Sequence, residues 1–76
     1  MKPATRVLLI IRAALDQLAE RGISPERCTA LVGHDVLAEL HNGFGVPPGL
    51  PVEAFGVPVD LDPSLAPRQI QVRADR

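Results

Sequence analysis

The stretch Cys28-Thr29-Ala30-Leu31-Val32-Gly33-His34-Asp35-Val36-Leu37-Ala38-Glu39-Leu40-His41-Asn42-Gly43 decides the fold. Its opening residues, Cys28 to Val32, are a short β-prone run, which reads as a buried strand. Asp35 is placed to cap or open a second, shorter helix through Val36, Leu37 and Leu40, and Asn42-Gly43 carries the stop signal for it. Strand, polar turn and helix thus follow one another within a few residues. On the N-terminal side, Ser24-Pro25-Glu26-Arg27 reads as the turn that delivers the chain to the strand.

Further upstream, Val7, Leu8, Ile11, Ala14, Leu15 and Leu18 recur at spacings of three and four, one face of an amphipathic helix from about Pro3 to Arg21. Pro3 suits its first turn and Gly22 its stop. Leu9 and Ile10 widen the apolar face beyond what a single contact needs, either as ordinary exposed residues or as the seat of a partner. Downstream, Gly43 to Pro51 holds three glycines and three prolines and reads as a stiff exposed loop, a connector or a contact surface.

Two alternating segments end the chain. Phe55, Val57, Val59 and Leu61 alternate with Gly56, Pro58, Asp60 and Asp62; Ile70, Val72 and Ala74 alternate with Gln71, Arg73 and Asp75. The connection Pro63-Ser64-Leu65-Ala66-Pro67 is short enough to make them antiparallel neighbours, a C-terminal β-hairpin in which Pro58 belongs at an edge or bulge. The expected fold is therefore α+β in the order α-β-α-β-β, one small domain over residues 1–76.

Composition narrows the function classes. A chain this short buries only about 60% of the surface its unfolded form exposes. Cys28 is the one cysteine, so no internal disulfide can staple it, and oligomerisation or docking is the expected source of added stability. The run Val7 to Ile11 is interrupted by Arg12 and followed by Asp16 and Glu20, unlike a signal peptide or a membrane span. A soluble, intracellular chain without membrane contact is expected. Eight Lys and Arg against nine Asp and Glu, scattered along the chain, leave no basic footprint for nucleic acid. With only Phe44 and Phe55 as aromatics there is no base-stacking platform either.

Each residue that could carry chemistry also has a plainer reading. His34, Asp35, Glu39 and His41 form the one cluster resembling a site. On a helix, however, His34 and His41 stand roughly two turns apart, about 10 Å along the axis, too far to share a metal directly. Asp35 and Glu39 share a face, but a complete ligand set is missing, so solvated roles are expected. Cys28 reads as a small buried hydrophobe rather than a nucleophile. Asp60 and Asp62 fall on one strand face and read as water-facing positions that discourage edge pairing. Gly43-Phe44-Gly45 follows a helix, whereas phosphate-cradling loops precede one, and Ser64 lies in no nucleophile pattern. No catalysis, metal or cofactor is expected.

Two segments carry a resemblance. Ala30 to Leu40, a strand leading through a polar turn into a short helix, resembles a recurring piece of the major capsid proteins of tailed bacteriophages. The run Phe55 to Pro67, with Gly56-Val57-Pro58-Val59 and then Asp62-Pro63, followed by the strand Gln69 to Arg73, is similar to the segment that comes next in those proteins. The helix Thr5 to Arg21 has a counterpart there too. The long spine helix, extended loop and N-terminal arm of that fold do not fit in 76 residues. What the resemblance implies is a small phage virion component built like the axial domain of a capsid subunit, non-enzymatic, located in the virion or the host cytoplasm. Such a domain meets its copies or a larger phage assembly through the Gly43 to Pro51 loop and the connection around Pro63. The contact residues then expected are Leu9, Ile10, Phe44, Val46, Leu50 and Leu65. A small inhibitor or regulator of a host protein complex is the other reading of a compact domain without a site.

Overall fold

The computed structural model of the chain describes residues 2–74. Helix α1 spans Pro3–Glu20, with Pro3 in its first turn and Val7, Ile11 and Leu15 buried. It ends as the sequence predicts: Gly22 N–H donates to Ala19 O at 2.9 Å and Ile23 N–H to Leu18 O at 3.0 Å, satisfying carbonyls the last turn would leave open. A single 3-10 turn at Pro25–Arg27 leads into strand β1, Thr29–Val32, and then into helix α2, His34–Phe44. Strands β2 (Val52–Ala54), β3 (Val57–Leu61) and β4 (Ile70–Arg73) complete the α+β fold. Met1, Asp75 and Arg76 lie outside the described residues, including the last position of the expected C-terminal alternation.

The sheet corrects the expected hairpin. Its order is β2-β3-β1-β4, so β1 lies between β3 and β4, parallel to the first and antiparallel to the second. The hairpin is instead β2-β3, with Ala54 opposite Val57 and a turn at Phe55-Gly56, residues expected inside a strand. Both turn residues have positive φ, 55° at Phe55 and 77° at Gly56, the geometry of the tight turn whose twist suits a two-residue hairpin. The physical reason for the rearrangement is burial: β1 is buried along most of its length, Thr29, Ala30 and Val32 included, and belongs in the sheet interior, where both of its edges are paired.

Pro58 therefore lies in an interior strand rather than at an edge. Asp62 N–H donates to Val32 O at 3.0 Å, which directs the even-numbered residues of β3 towards β1. Pro58 precedes the first β1–β3 pair, Ala30 with Val59, so the missing donor falls where that ladder begins.

One face of the sheet carries Ala30, Val32, Val52, Ala54, Val57 and Val59, all buried beneath the helices with Val7, Ile11, Leu15, Val36 and Leu40. α1 packs on α2 and β4, and α2 on β3. The opposite face, with Glu53, Asp60 and Arg73, is open. Two glycines set the layer spacing. A Cβ on Gly33 would stand 2.0 Å from Ala66 O, and one on Gly43 2.4 Å from the Cβ of Ala4. The second contact explains why α2 runs through Asn42-Gly43, where the sequence predicts its end: Gly43 is the point at which α1 crosses close to it. The helix stops instead at Gly45, whose φ of 67° starts the following loop.

Candidate functional site

The loop after α2 folds back along the helix and makes a groove with it. Its fold follows from one residue, His41, in the last turn. Val46 N–H donates to His41 O at 2.9 Å, and His41 Nδ1 lies 3.1 Å from Val46 O. A carbonyl only accepts, so Nδ1 carries the proton and donates. Held at both main-chain groups of Val46, the segment Pro47-Pro48-Gly49 stands off the helix as a wall. Leu50 N–H closes it with a bond to Pro47 O at 3.2 Å.

The groove between this wall and α2 has a volume of 560 Å3 and is lined by Leu37, Ala38, Val46, Pro47 and Pro48, with His34, His41 and Asn42 also in its lining. A second hollow of 330 Å3 shares Leu37, His41 and Gly49 with it and continues to Val52, Val59 and Leu61 at the sheet. Leu50 is 55% and Leu61 46% exposed along its rim. The lining of the two hollows is mostly apolar, with His34, His41, Asn42 and Asp60 as its polar side chains.

The structure brings some predicted contact residues together and separates others. Val46 and Leu50 belong to this groove. Leu9 and Ile10 are exposed on α1, and Phe44 is exposed on the last turn of α2. Leu65 is half-buried in the β3–β4 connection, where its N–H donates to Asp62 O. That connection is occupied internally: Pro67 O accepts from Asp35 N–H at 3.1 Å and Val36 N–H at 3.3 Å, capping α2 with main chain. Leu37, Ala38 and Leu61 were not anticipated as site residues. The signal for the first two was present, since Leu37 and Ala38 lie beside the buried Val36 and Leu40 on a short helix.

The polar cluster is dispersed. His34 Nδ1 sits 2.8 Å from Asp35 Oδ1 on the surface. Glu39 points elsewhere and pairs with Arg68, tying α2 to the β3–β4 connection; this hydrogen bond and the carboxylate charge raise the Arg68 pKa above its ordinary value. Among the described residues no group of three or more His, Cys, Asp or Glu is placed to hold a metal ion. Cys28 is fully buried, its Sγ 3.5 Å from Ser24 O. Asp60 is exposed in β3, and Asp62 follows directly on the end of that strand. It leaves β3 and accepts from both Oγ and N–H of Ser64, at 2.7 and 2.9 Å. Those two bonds, the side-chain one first, hold its carboxyl below the usual range.

Among the described residues no helix is long and apolar enough to cross a membrane. Comparison of the chain with protein-family models, with curated proteins and with solved structures finds no match.

Proposed function

We propose that this chain is a non-enzymatic assembly protein that acts through protein–protein contacts, as a small component of a phage particle. The observation that carries the docking role is the pair of adjoining, largely apolar hollows along α2, walled by Val46-Pro47-Pro48 and rimmed by exposed Leu50 and Leu61. Its wall is held by main-chain and histidine hydrogen bonds, so little ordering entropy is lost when a protein surface fills it. The groups that acid–base, nucleophilic or metal chemistry would need are engaged separately: His41 with Val46, Glu39 with Arg68, Asp62 with Ser64.

The phage context rests on the order of elements and on Gly56-Val57-Pro58-Val59 followed by Asp62-Pro63. An axial position in a larger particle fits a domain whose small core leaves stability to be gained by association. Light scattering coupled to size exclusion over a range of concentrations tests the assembly role. A defined oligomer is the expected result, and Leu50→Ser is expected to weaken docking to further copies or to the particle. A strict monomer at every concentration overturns self-assembly and favours an inhibitor with one heterologous partner. Mass spectrometry of purified virions from the source tests the location; absence of the chain there overturns the virion part.

A further inference from the structure

The two edges of the sheet are built differently, and the difference points to a specific partner. At the β2 edge, the strand is three residues long, follows Pro51, and carries the charged Glu53 at its centre. Such an edge resists addition of another strand. At the β4 edge, Ile70-Gln71-Val72-Arg73 has no proline and no bulge, its one charge, Arg73, stands at its end, and its register with β1 is unbroken from Thr29–Arg73 to Val32–Ile70.

Which main-chain groups that edge offers follows from one bond. Gly33 N–H donates to Gln69 O at 2.9 Å, continuing the β1–β4 register as a hydrogen-bonded pair. Alternation then makes Leu31–Gln71 and Thr29–Arg73 the other bonded pairs. Asp62 N–H bonding to Val32 O agrees, because it directs Val32 towards β3 rather than β4. Ile70 and Val72 consequently turn their N–H and C=O groups outward, away from the sheet. Their side chains are half-buried against the core, on the helix-covered face.

We propose that β4 pairs antiparallel with β4 of a second copy of this chain, about a twofold axis at Gln71, to form one continuous sheet across the dimer. The inference rests on the assembly role proposed above and names its first contact. Parity selects the register. Outward-facing residues must face one another, and centring on Gln71 sets Ile70 opposite Val72 of the other copy and Val72 opposite its Ile70. Each such pair exchanges both main-chain hydrogen bonds, and four aliphatic side chains that are half-exposed in one copy meet on the helix face. On the open face Gln71 meets its own copy, amide to amide, and Arg73 lies opposite Gln69, so no like charges stand across the strand pair. With a net charge of −1 per chain, two copies approach without appreciable long-range repulsion. The groove along α2, towards the other edge, stays free for docking to a larger assembly.

The register makes the test specific. Gln71 and its copy form a non-hydrogen-bonded antiparallel pair with Cα atoms about 4.5 Å apart, inside the roughly 4.4–6.8 Å span of a disulfide. Gln71→Cys is expected to cross-link into a covalent dimer under copper–phenanthroline oxidation, and Arg73→Cys is expected to stay unlinked. Cys28, being fully buried, does not compete. Unmodified chain should run at twice 8.1 kDa at high concentration. Val72→Pro, which removes an outward N–H without taking a bond from β1, should return it to the single mass with its circular dichroism unchanged. If Val72→Pro fails to fold, the two cysteine variants decide. An oligomer that persists in Val72→Pro, or that gives no Gln71→Cys cross-link, overturns edge pairing and leaves the assembly role standing. A monomer throughout overturns edge pairing and self-assembly together, and leaves docking to a heterologous partner.

Discussion

Gly33 and Phe55 show how much of this fold rests on single backbone positions. At Gly33 the chain leaves β1 for α2 while the carbonyl of Ala66 passes where a Cβ would be. Gly33→Ala must push the β3–β4 connection away and with it the Pro67 carbonyl that caps α2. A loss of about 3 kcal/mol is expected, measured by urea unfolding, a large share of a small domain's margin. Phe55 is the opposite case, a bulky residue held at φ 55° and 49% exposed. Phe55→Asn should stabilise the hairpin by about 1 kcal/mol, because asparagine adopts that conformation at little cost. An unchanged or lowered melting temperature would show that the ring contributes packing that offsets the strain. Asp62 gives a pH dependence. Its folded pKa is depressed by Ser64, so its contribution to stability is present above the ordinary carboxylate pKa and is lost as pH falls through the depressed folded value. Ser64→Ala, which removes the hydroxyl bond but keeps the main-chain one, should move the Asp62 carboxyl part of the way up towards its ordinary value in an NMR titration and reduce that acid-side contribution.

At the scale of elements, α2 and the hairpin carry the lesson. The helix was legible from Asp35, Val36, Leu37 and Leu40, but its end was not. Asn42-Gly43 reads as a stop in the chain alone, and only the crossing of α1 at Ala4 turns Gly43 into an interior helical residue. Gly43→Ala should therefore destabilise by roughly 1–3 kcal/mol despite the better helix propensity of alanine. The double variant Ala4→Gly with Gly43→Ala should recover most of the loss, because it moves the missing methyl to the other side of the same contact. Equal losses in the single and double variants would remove helix–helix proximity as the explanation. The β2 strand was not legible because its turn, Phe55-Gly56, lacks the asparagine or aspartate that normally marks a two-residue hairpin. Of the docking groove, Val46 and Leu50 were legible as apolar residues in a breaker-rich loop. His41 was not, because its role depends on the loop returning to within 3.1 Å of its ring.

At the scale of the molecule, two thin layers enclose one small core, and one sheet face stays open to solvent. Association that selects the folded chain raises its apparent stability by mass action, so the melting temperature should rise with protein concentration. The rise should disappear in Val72→Pro, as followed by scanning calorimetry. The sequence by itself determined the α+β class, the first helix with its Pro3 start and Gly22 stop, the buried character of β1, and the aliphatic core. Each of these depends on periodicity or on a local cap within a few residues. Tertiary structure alone decided the strand order β2-β3-β1-β4, the parallel β1–β3 pairing, the length of α2 and the groove along it. These depend on which distant segments bury the same apolar surface. Alternation tells a strand which face to bury but not which neighbour to take, and that choice falls to the packing of the helices above.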